Sequence, residues 1–302
     1  MNFSGLYEMQ GMLFLLMIIG AVLKKIGIIT DEGKSVLADI VIYVTLPCSI
    51  LKSFEIEFNR GIIESSIVIL MISCLIQAGC YILNLFVYGK MEPAKKKVLR
   101  YATMTSNAGI LGNPIAEGIF GSMGLFYASI YLIPQRAVMW SLGMTYFTEA
   151  PNRRTLIKKV CTHPCILAVF FGFLMMLCQY RLPGFLGATV KSLSNANTAV
   201  SMMFVGTVLA SAKPSELVNK VTCYYSAIRL FIIPGFVLLG CRVVGIDPLI
   251  TGVSVVLSGM PAASVTAILA SKYGGDDVFA TKCVVFSTLL SMITVPLWCM
   301  VL

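Results

Sequence analysis

Apolar runs of about 20 residues recur along the chain, separated by short polar segments rich in Lys, Arg, Gly and Pro. Ten can be drawn, at roughly 9–29, 36–54, 62–88, 98–121, 124–147, 162–180, 187–211, 217–242, 249–272 and 277–301. At 1.5 Å rise per residue, about 20 helical residues cover the ~30 Å hydrocarbon core of a bilayer. The pattern therefore predicts an all-α polytopic membrane protein with ten transmembrane helices. The first five runs lie within 1–150 and the last five within 151–302, at an offset near 150. An odd number of spans per copy turns the second copy upside down, so two inverted five-helix repeats are expected. The link between them, Pro151-Asn152-Arg153-Arg154, is short and basic.

Two of the runs are interrupted at corresponding places, the fourth and the ninth. The fourth contains Asn107-Ala108-Gly109-Ile110-Leu111-Gly112-Asn113-Pro114, and the ninth contains Ser258-Gly259-Met260-Pro261-Ala262-Ala263-Ser264. Proline removes a backbone donor and disfavours helix at the preceding residue. Inside a bilayer the freed backbone groups need protein, water or ligand as partners. Paired interruptions, one per half, mark the binding site of many secondary transporters. Gly109, Gly112, Pro114, Gly259 and Pro261 are thus read as a crossing of broken helices, with Asn107, Asn113 and Ser258 as candidate substrate contacts. The positive N-terminal end of a half-helix suits a carboxylate or another anion.

Charge fixes an orientation. Of the 23 Lys and Arg residues, 16 fall on one set of alternating sides, 5 on the other, and Arg136 and Arg229 lie within spans. By the positive-inside tendency, both termini are expected on the outer side of the cell membrane. The net charge of +9 therefore orients the protein and does not mark a nucleic-acid binder. No Lys or Arg precedes the run from Gly11 to Leu23, so a retained first span, not a secretory signal, is expected. Composition agrees: 58% of the 302 residues are hydrophobic and 12% charged, against about a quarter charged in soluble domains.

Charges inside spans are costly, at about 2.5–3.5 kcal/mol each on insertion scales, and face protein or water. Glu117, one turn beyond Pro114, is a candidate coupling group; Arg136 and Arg229 are candidate counter-charges for an anion. Asn195 and Asn197, at the polar stretch Asn195-Ala196-Asn197-Thr198, either line a cavity or cap a helix. Ten cysteines suggest a disulfide framework by number, but most lie in or beside apolar runs, where cysteine acts as a small hydrophobe. Cys161-Thr162-His163-Pro164-Cys165 places three possible metal ligands together without an evident fourth, so no metal is expected.

The motif Asn107-x-Gly109-x-x-Gly112-x-Pro114 resembles the fourth-helix crossover of the auxin efflux carrier family of membrane transporters. Met260-Pro261-Ala262-Ala263 and Ala270-Ser271-Lys272-Tyr273-Gly274 resemble its ninth helix. Leu37 to Leu51, centred on Leu46-Pro47, and Asn195 to Leu209 are similar to its second and seventh. The resemblance implies ten helices in two inverted repeats, divided into a scaffold and a transport domain, with broken helices four and nine crossing beside the substrate. It implies organic-anion substrates, from auxin in plants to malate- or malonate-like carboxylates in bacteria, with Asn107 meeting the carboxylate. Two features depart from the family pattern. Asn113 stands where an apolar residue is usual, and the link after span five lacks the large loop of many plant auxin carriers.

The expected function is secondary transport of small carboxylates by alternating access, with an anion channel or a non-transporting ligand sensor as alternatives. No Gly-x-x-x-x-Gly-Lys-Ser/Thr phosphate loop, zinc-protease motif or Gly-x-Ser-x-Gly elbow is present, so neither self-contained ATP drive nor an enzyme is expected. No cofactor is expected; H⁺ and Na⁺ are the candidate coupling ions, and a homodimer is the candidate assembly.

Overall fold

The computed structural model describes residues 3–57, 60–147, 158, 161–210 and 217–302. The basic link at Pro151-Asn152-Arg153-Arg154 lies outside the described residues. Among these residues the secondary structure is helical, apart from one isolated β-bridge. The helices are α1 (Phe3–Lys25), α2 (Asp31–Ser53), α3 (Arg60–Val87), α4 (Pro93–Met104), α5 (Asn113–Trp140), α6 (Pro164–Leu177), α7 (Gly184–Ala210), α8 (Lys220–Val244), α9 (Pro248–Ser258), α10 (Val265–Lys272) and α11 (Asp277–Val301). Among the described residues, six helical stretches are long and apolar enough to cross a membrane: α2, α3, Ala108–Tyr146, α7, α8 and α11. Helices α6 and α9 are apolar but shorter. The chain is a polytopic membrane protein.

Local chemistry sets many of the boundaries. Thr30 caps α2, its hydroxyl accepting the Gly33 N–H at 3.1 Å, and Asn219 and Thr222 form a reciprocal capping box at the start of α8. Within α5, Gly121 has φ 68° and ψ −160°, a conformation closed to residues with a Cβ. It turns the chain between what the sequence reads as its fourth and fifth runs. Gly124 makes the reversal tight, because a Cβ there would lie 2.3 Å from the Ala116 carbonyl oxygen.

Among the described residues three π-helical turns recur, at Val41–Thr45, Ala108–Gly112 and Ile228–Ile232. Each ends two residues before a proline: Pro47, Pro114 and Pro234. Proline cannot donate the i→i−4 bond, and the wider π turn absorbs the residue left over. The carbonyls released nearby find side-chain partners. Leu230 O, which Pro234 cannot serve, accepts the Trp298 indole N–H at 2.8 Å, and Ile42 O faces the Cys165 thiol at 3.8 Å.

The chain forms two compact units. One comprises 1–67, 110–130 and 161–211; the other comprises 68–109, 131–160 and 212–302. In the first, α1 and α7 touch backbone to backbone through a reciprocal pair of glycines. A Cβ on Gly20 would lie 2.0 Å from Met203 O, and one on Gly206 would lie 2.0 Å from Met17 O. Small residues allow this approach, and helix packing in lipid depends on such contacts. Phe54, at the end of α2, fills the space beside Gly172 of α6 and meets Phe126 edge to face at 4.7 Å. In the second unit, α8, α10 and α11 enclose a core that includes Tyr225, Ala270, Cys283 and Val285. Its outer helices leave large apolar side chains uncovered, such as Leu75 at 72% and Phe236 at 71%, as contact with hydrocarbon requires.

None of the ten cysteines is in a disulfide. Cys80, Cys165, Cys241, Cys283 and Cys299 are buried, whereas Cys74, Cys161, Cys178 and Cys223 are exposed. His163 caps α6, its Nδ1 accepting the Cys165 N–H at 3.2 Å. Among the described residues no group of three His, Cys, Asp or Glu side chains is placed to hold a metal.

Candidate functional site

The N-terminal side of the first break, up to Gly109, and the whole of the second belong to the second unit, and there they pair. Helix α4 ends at Met104, where Thr105 is extended, and α9 ends at Ser258, where Gly259 turns the chain into a non-helical segment that reaches Ala262. Ser106 and Ala262 form an antiparallel bridge. The Asn107 N–H donates to Pro261 O at 2.8 Å, and the Ala263 N–H donates to Thr105 O at 3.3 Å. Two stretches that lost their helical bonds thus supply each other's partners, one of the few ways to keep irregular backbone at membrane depth.

Side chains from three neighbouring segments take the remaining groups. Gln135 Nε2 donates to Ser106 O at 2.7 Å, and Ser287 Oγ accepts the Ala262 N–H at 3.1 Å. Tyr225 donates its hydroxyl to Ala102 O at 3.0 Å. Arg229, inside the π turn of α8, reaches both broken helices. Its Nε donates to Met260 O at 2.9 Å and its Nη1 to Thr103 O at 3.0 Å. Arg229 is 3% exposed, and a guanidinium stays charged under any ordinary condition. Among the described residues the ion pairs are Lys24–Asp31, Lys34–Asp31, Lys52–Glu55 and Lys95–Glu92; none involves Arg229. Its hydrogen bonds to Met260 and Thr103 both end on neutral oxygens.

A second guanidinium, that of Arg136, lies beside Gly109. A Cβ on Gly109 would come within 2.7 Å of Arg136 Nη2, so the missing side chain makes room for that cation. The Asn107 carboxamide forms no hydrogen bond among the described residues, yet the residue is 5% exposed and its backbone is pinned to Pro261. The Ser258 hydroxyl, by contrast, bonds back to Val255 O at 2.9 Å. Gly259 closes α9 and sets the break against Pro234, whose side chain a Cβ would meet at 3.5 Å.

Asn113, Gly112 and Pro114 fall in the other unit, with Glu117, Asn195 and Asn197. Asn113 is fully buried with both polar atoms unpartnered. Glu117 is half-buried and lies beside the Ser49 hydroxyl, although no hydrogen bond of good geometry joins them. Asn195 and Asn197 part company: Asn195 is exposed, whereas Asn197 is buried and its Oδ1 accepts from Thr45 at 3.1 Å and Ser201 at 3.4 Å. Two residues on a helix are about 200° apart, so opposite faces follow from geometry. Helix α7 starts at Gly184, so this polar stretch sits in mid-helix and caps nothing.

One cleft of the second unit, about 560 Å³, runs between α3 and α8 past Met71, Leu75, Cys80, Ile232, Phe236 and Val244. Its walls are almost wholly hydrocarbon and include neither Asn107 nor an arginine, so it is no place for a carboxylate. The contacts that sequence reasoning missed are Gln135, Tyr225 and Ser287, whose single polar side chains in apolar runs gave no spacing to read, and the backbone carbonyl of Thr103. Arg229 carried a signal, as an arginine two residues into an apolar stretch that continues to Pro234.

Comparison with known proteins follows the same lines. The family model described as membrane transport protein matches residues 10–299. An uncharacterized transporter of Methanothermobacter thermautotrophicus is 29% identical over the full length of both chains. The uncharacterized transporter YfdV of Escherichia coli strain K12 is 21% identical, covering 95% of this chain and 94% of its own. A putative malonate transporter of Rhizobium meliloti is 23% identical over 67% of each chain. With paired helix breaks in apolar spans and a family match along nearly its whole length, the chain belongs to the membrane transport protein family, that of the auxin efflux carriers.

Proposed function

We propose that this protein is a secondary carrier of small organic anions, and that it binds a carboxylate at the paired helix breaks. The observation that carries this reading is the buried charge of Arg229, which grips both broken helices through Met260 O and Thr103 O, together with the unpartnered Asn107 amide at the same pairing. A cation held in a low-dielectric interior without a counter-charge creates a positive field, and an anion entering that field offsets its cost. Asn107 would then donate its N–H₂ to the carboxylate, with Arg136 adding a second positive charge beside Gly109. Dicarboxylates of malonate size are the first to test, since a relative bears that substrate in its name. The wider reading is ten helices in two inverted repeats that expose the site alternately to each side of the cell membrane, with both termini outside.

Asn107→Ala tests the reading, because the backbone bond from residue 107 to Pro261 O survives it. A hydrogen bond to a charged group contributes about 1.5–3 kcal/mol, or about 10- to 150-fold in affinity. A panel of mono- and dicarboxylates, offered to proteoliposomes with pH, Na⁺ and voltage varied independently, gives the substrate. The variant is then expected to bind it 10-fold or more weakly while remaining monodisperse. Wild-type affinity in that variant removes Asn107 from the site, and unsaturable conductance in place of saturable flux favours a channel.

A further inference from the structure

Within the first unit, three helices each turn a pair of polar residues, spaced i and i+4, toward a common region. The pairs are Thr45 and Ser49 on α2, Asn113 and Glu117 on α5, and Asn197 and Ser201 on α7. Residues at this spacing are neighbours on one helix face. Thr45 bonds to Asn197 across α2 and α7, and Ser49 lies beside Glu117 across α2 and α5. All but Glu117 are buried.

The cluster is not internally satisfied. Ser49 Oγ, Asn113 Oδ1, Asn113 Nδ2 and Asn197 Nδ2 are buried without a hydrogen-bond partner. Each such group costs about 1–3 kcal/mol, and native structures seldom leave several together unless water, an ion or a ligand serves them. Glu117 makes no ion pair among the described residues. A half-buried carboxylate within a span therefore faces unpartnered neutral oxygens.

We propose that Glu117, Ser49 and Asn113 bind a monovalent alkali cation. Carboxylate, hydroxyl and amide oxygens are hard donors that suit hard cations over transition metals. One negative charge balances one positive charge, whereas a divalent ion would normally draw more carboxylates. The π turn at Val41–Thr45 sets the phase of α2, so that Thr45 holds Asn197 while Ser49, one turn on, faces Glu117. Asn113 comes with Glu117 because Pro114 starts their helix at that point. The amide N–H groups of Asn113 and Asn197 remain to serve the carboxylate oxygen turned away from the ion.

The test measures binding in the absence of any organic anion, so its outcome does not depend on the carboxylate reading. Purified full-length protein is melted in choline chloride, NaCl, KCl and CaCl₂ at equal ionic strength, and ²²Na⁺ binding is measured by scintillation proximity. Na⁺ or K⁺ is expected to raise the melting temperature over choline, with saturable binding near one ion per chain. Glu117→Gln and Asn113→Ala are each expected to abolish the shift, and Ser49→Ala to weaken binding about 10-fold. If Glu117→Gln fails to fold, the other two variants decide. Equal melting in all four salts, a preference for Ca²⁺, a response to pH alone, or a cation shift that survives the folded variants overturns the proposal.

Discussion

Replacing Arg229 by Lys separates its charge from its fork. Arg229 donates from two different nitrogens to carbonyls of two different broken helices, Met260 O at 2.9 Å and Thr103 O at 3.0 Å. Lysine keeps the positive charge but presents it on one compact head and cannot reproduce a planar two-point grip. One of the two carbonyls should lose its donor in a site that excludes water, at a cost of about 1–3 kcal/mol. For a folding unit of 150–250 residues, each kcal/mol moves the melting temperature by about 2–4 °C, so a fall of roughly 2–12 °C is expected. Arg229→Gln loses the charge as well and should cost more, because no charge-assisted bond remains. The assay is thermal unfolding of the detergent-solubilised protein, run beside substrate binding. Arg229→Lys should lower stability yet keep most of the anion affinity, whereas Arg229→Gln should lose both. If Arg229→Gln melts with the wild type, the clamp is not needed to hold the breaks together. If it binds the anion as well as Arg229→Lys does, the buried charge is not what attracts the anion.

Two further substitutions test the packing. Gly206→Ala places a methyl group within 2.0 Å of Met17 O, so α1 and α7 must separate; overpacking of this kind costs about 1–3 kcal/mol, and a melting curve indistinguishable from wild type would falsify the close contact. Trp298→Phe removes the N–H that serves Leu230 O at 2.8 Å and should destabilise by about 1–3 kcal/mol. The same change should cost less in a Pro234→Ala background, where residue 234 regains its own N–H; equal costs in the two backgrounds would show that the indole is not compensating for the proline.

Much of the helical layout was legible because its causes are local. The interruptions at Pro114 and Pro261 could be placed from proline and glycine alone, whereas the caps at Thr30 and Asn219 emerged only with the structure. What partners each break could not be read, since the pairing of Ser106 with Ala262 joins residues far apart in the chain. The same holds for Arg229, whose two acceptors lie on different helices. Ser258 appeared as a ligand candidate by its neighbours, but its hydroxyl had a nearer carbonyl, Val255 O. Asn195 and Asn197 looked alike in sequence and differ because a helix points them oppositely. The compact units were not legible at all: each is assembled from three separated stretches. That division groups residues by contact and is a different quantity from the sequence repeat.

The three π turns bear on how any scan along these helices must be interpreted. A π turn places one surplus residue in the spiral, so side chains beyond it are advanced by about 100° relative to an uninterrupted α-helix. In α8 a single helical wheel drawn through Lys220–Val244 would therefore blur two faces, the one that sends Arg229 inward and the one that later turns Phe236, Leu239 and Val243 outward. A cysteine-accessibility profile of α2 or α8 should consist of two clean periodicities with a phase slip just before the proline. Deleting one residue from such a turn would restore regular phase upstream and disrupt every contact downstream. These prolines thus act as gear changes along the chain, setting which side of each half-helix meets lipid and which meets protein.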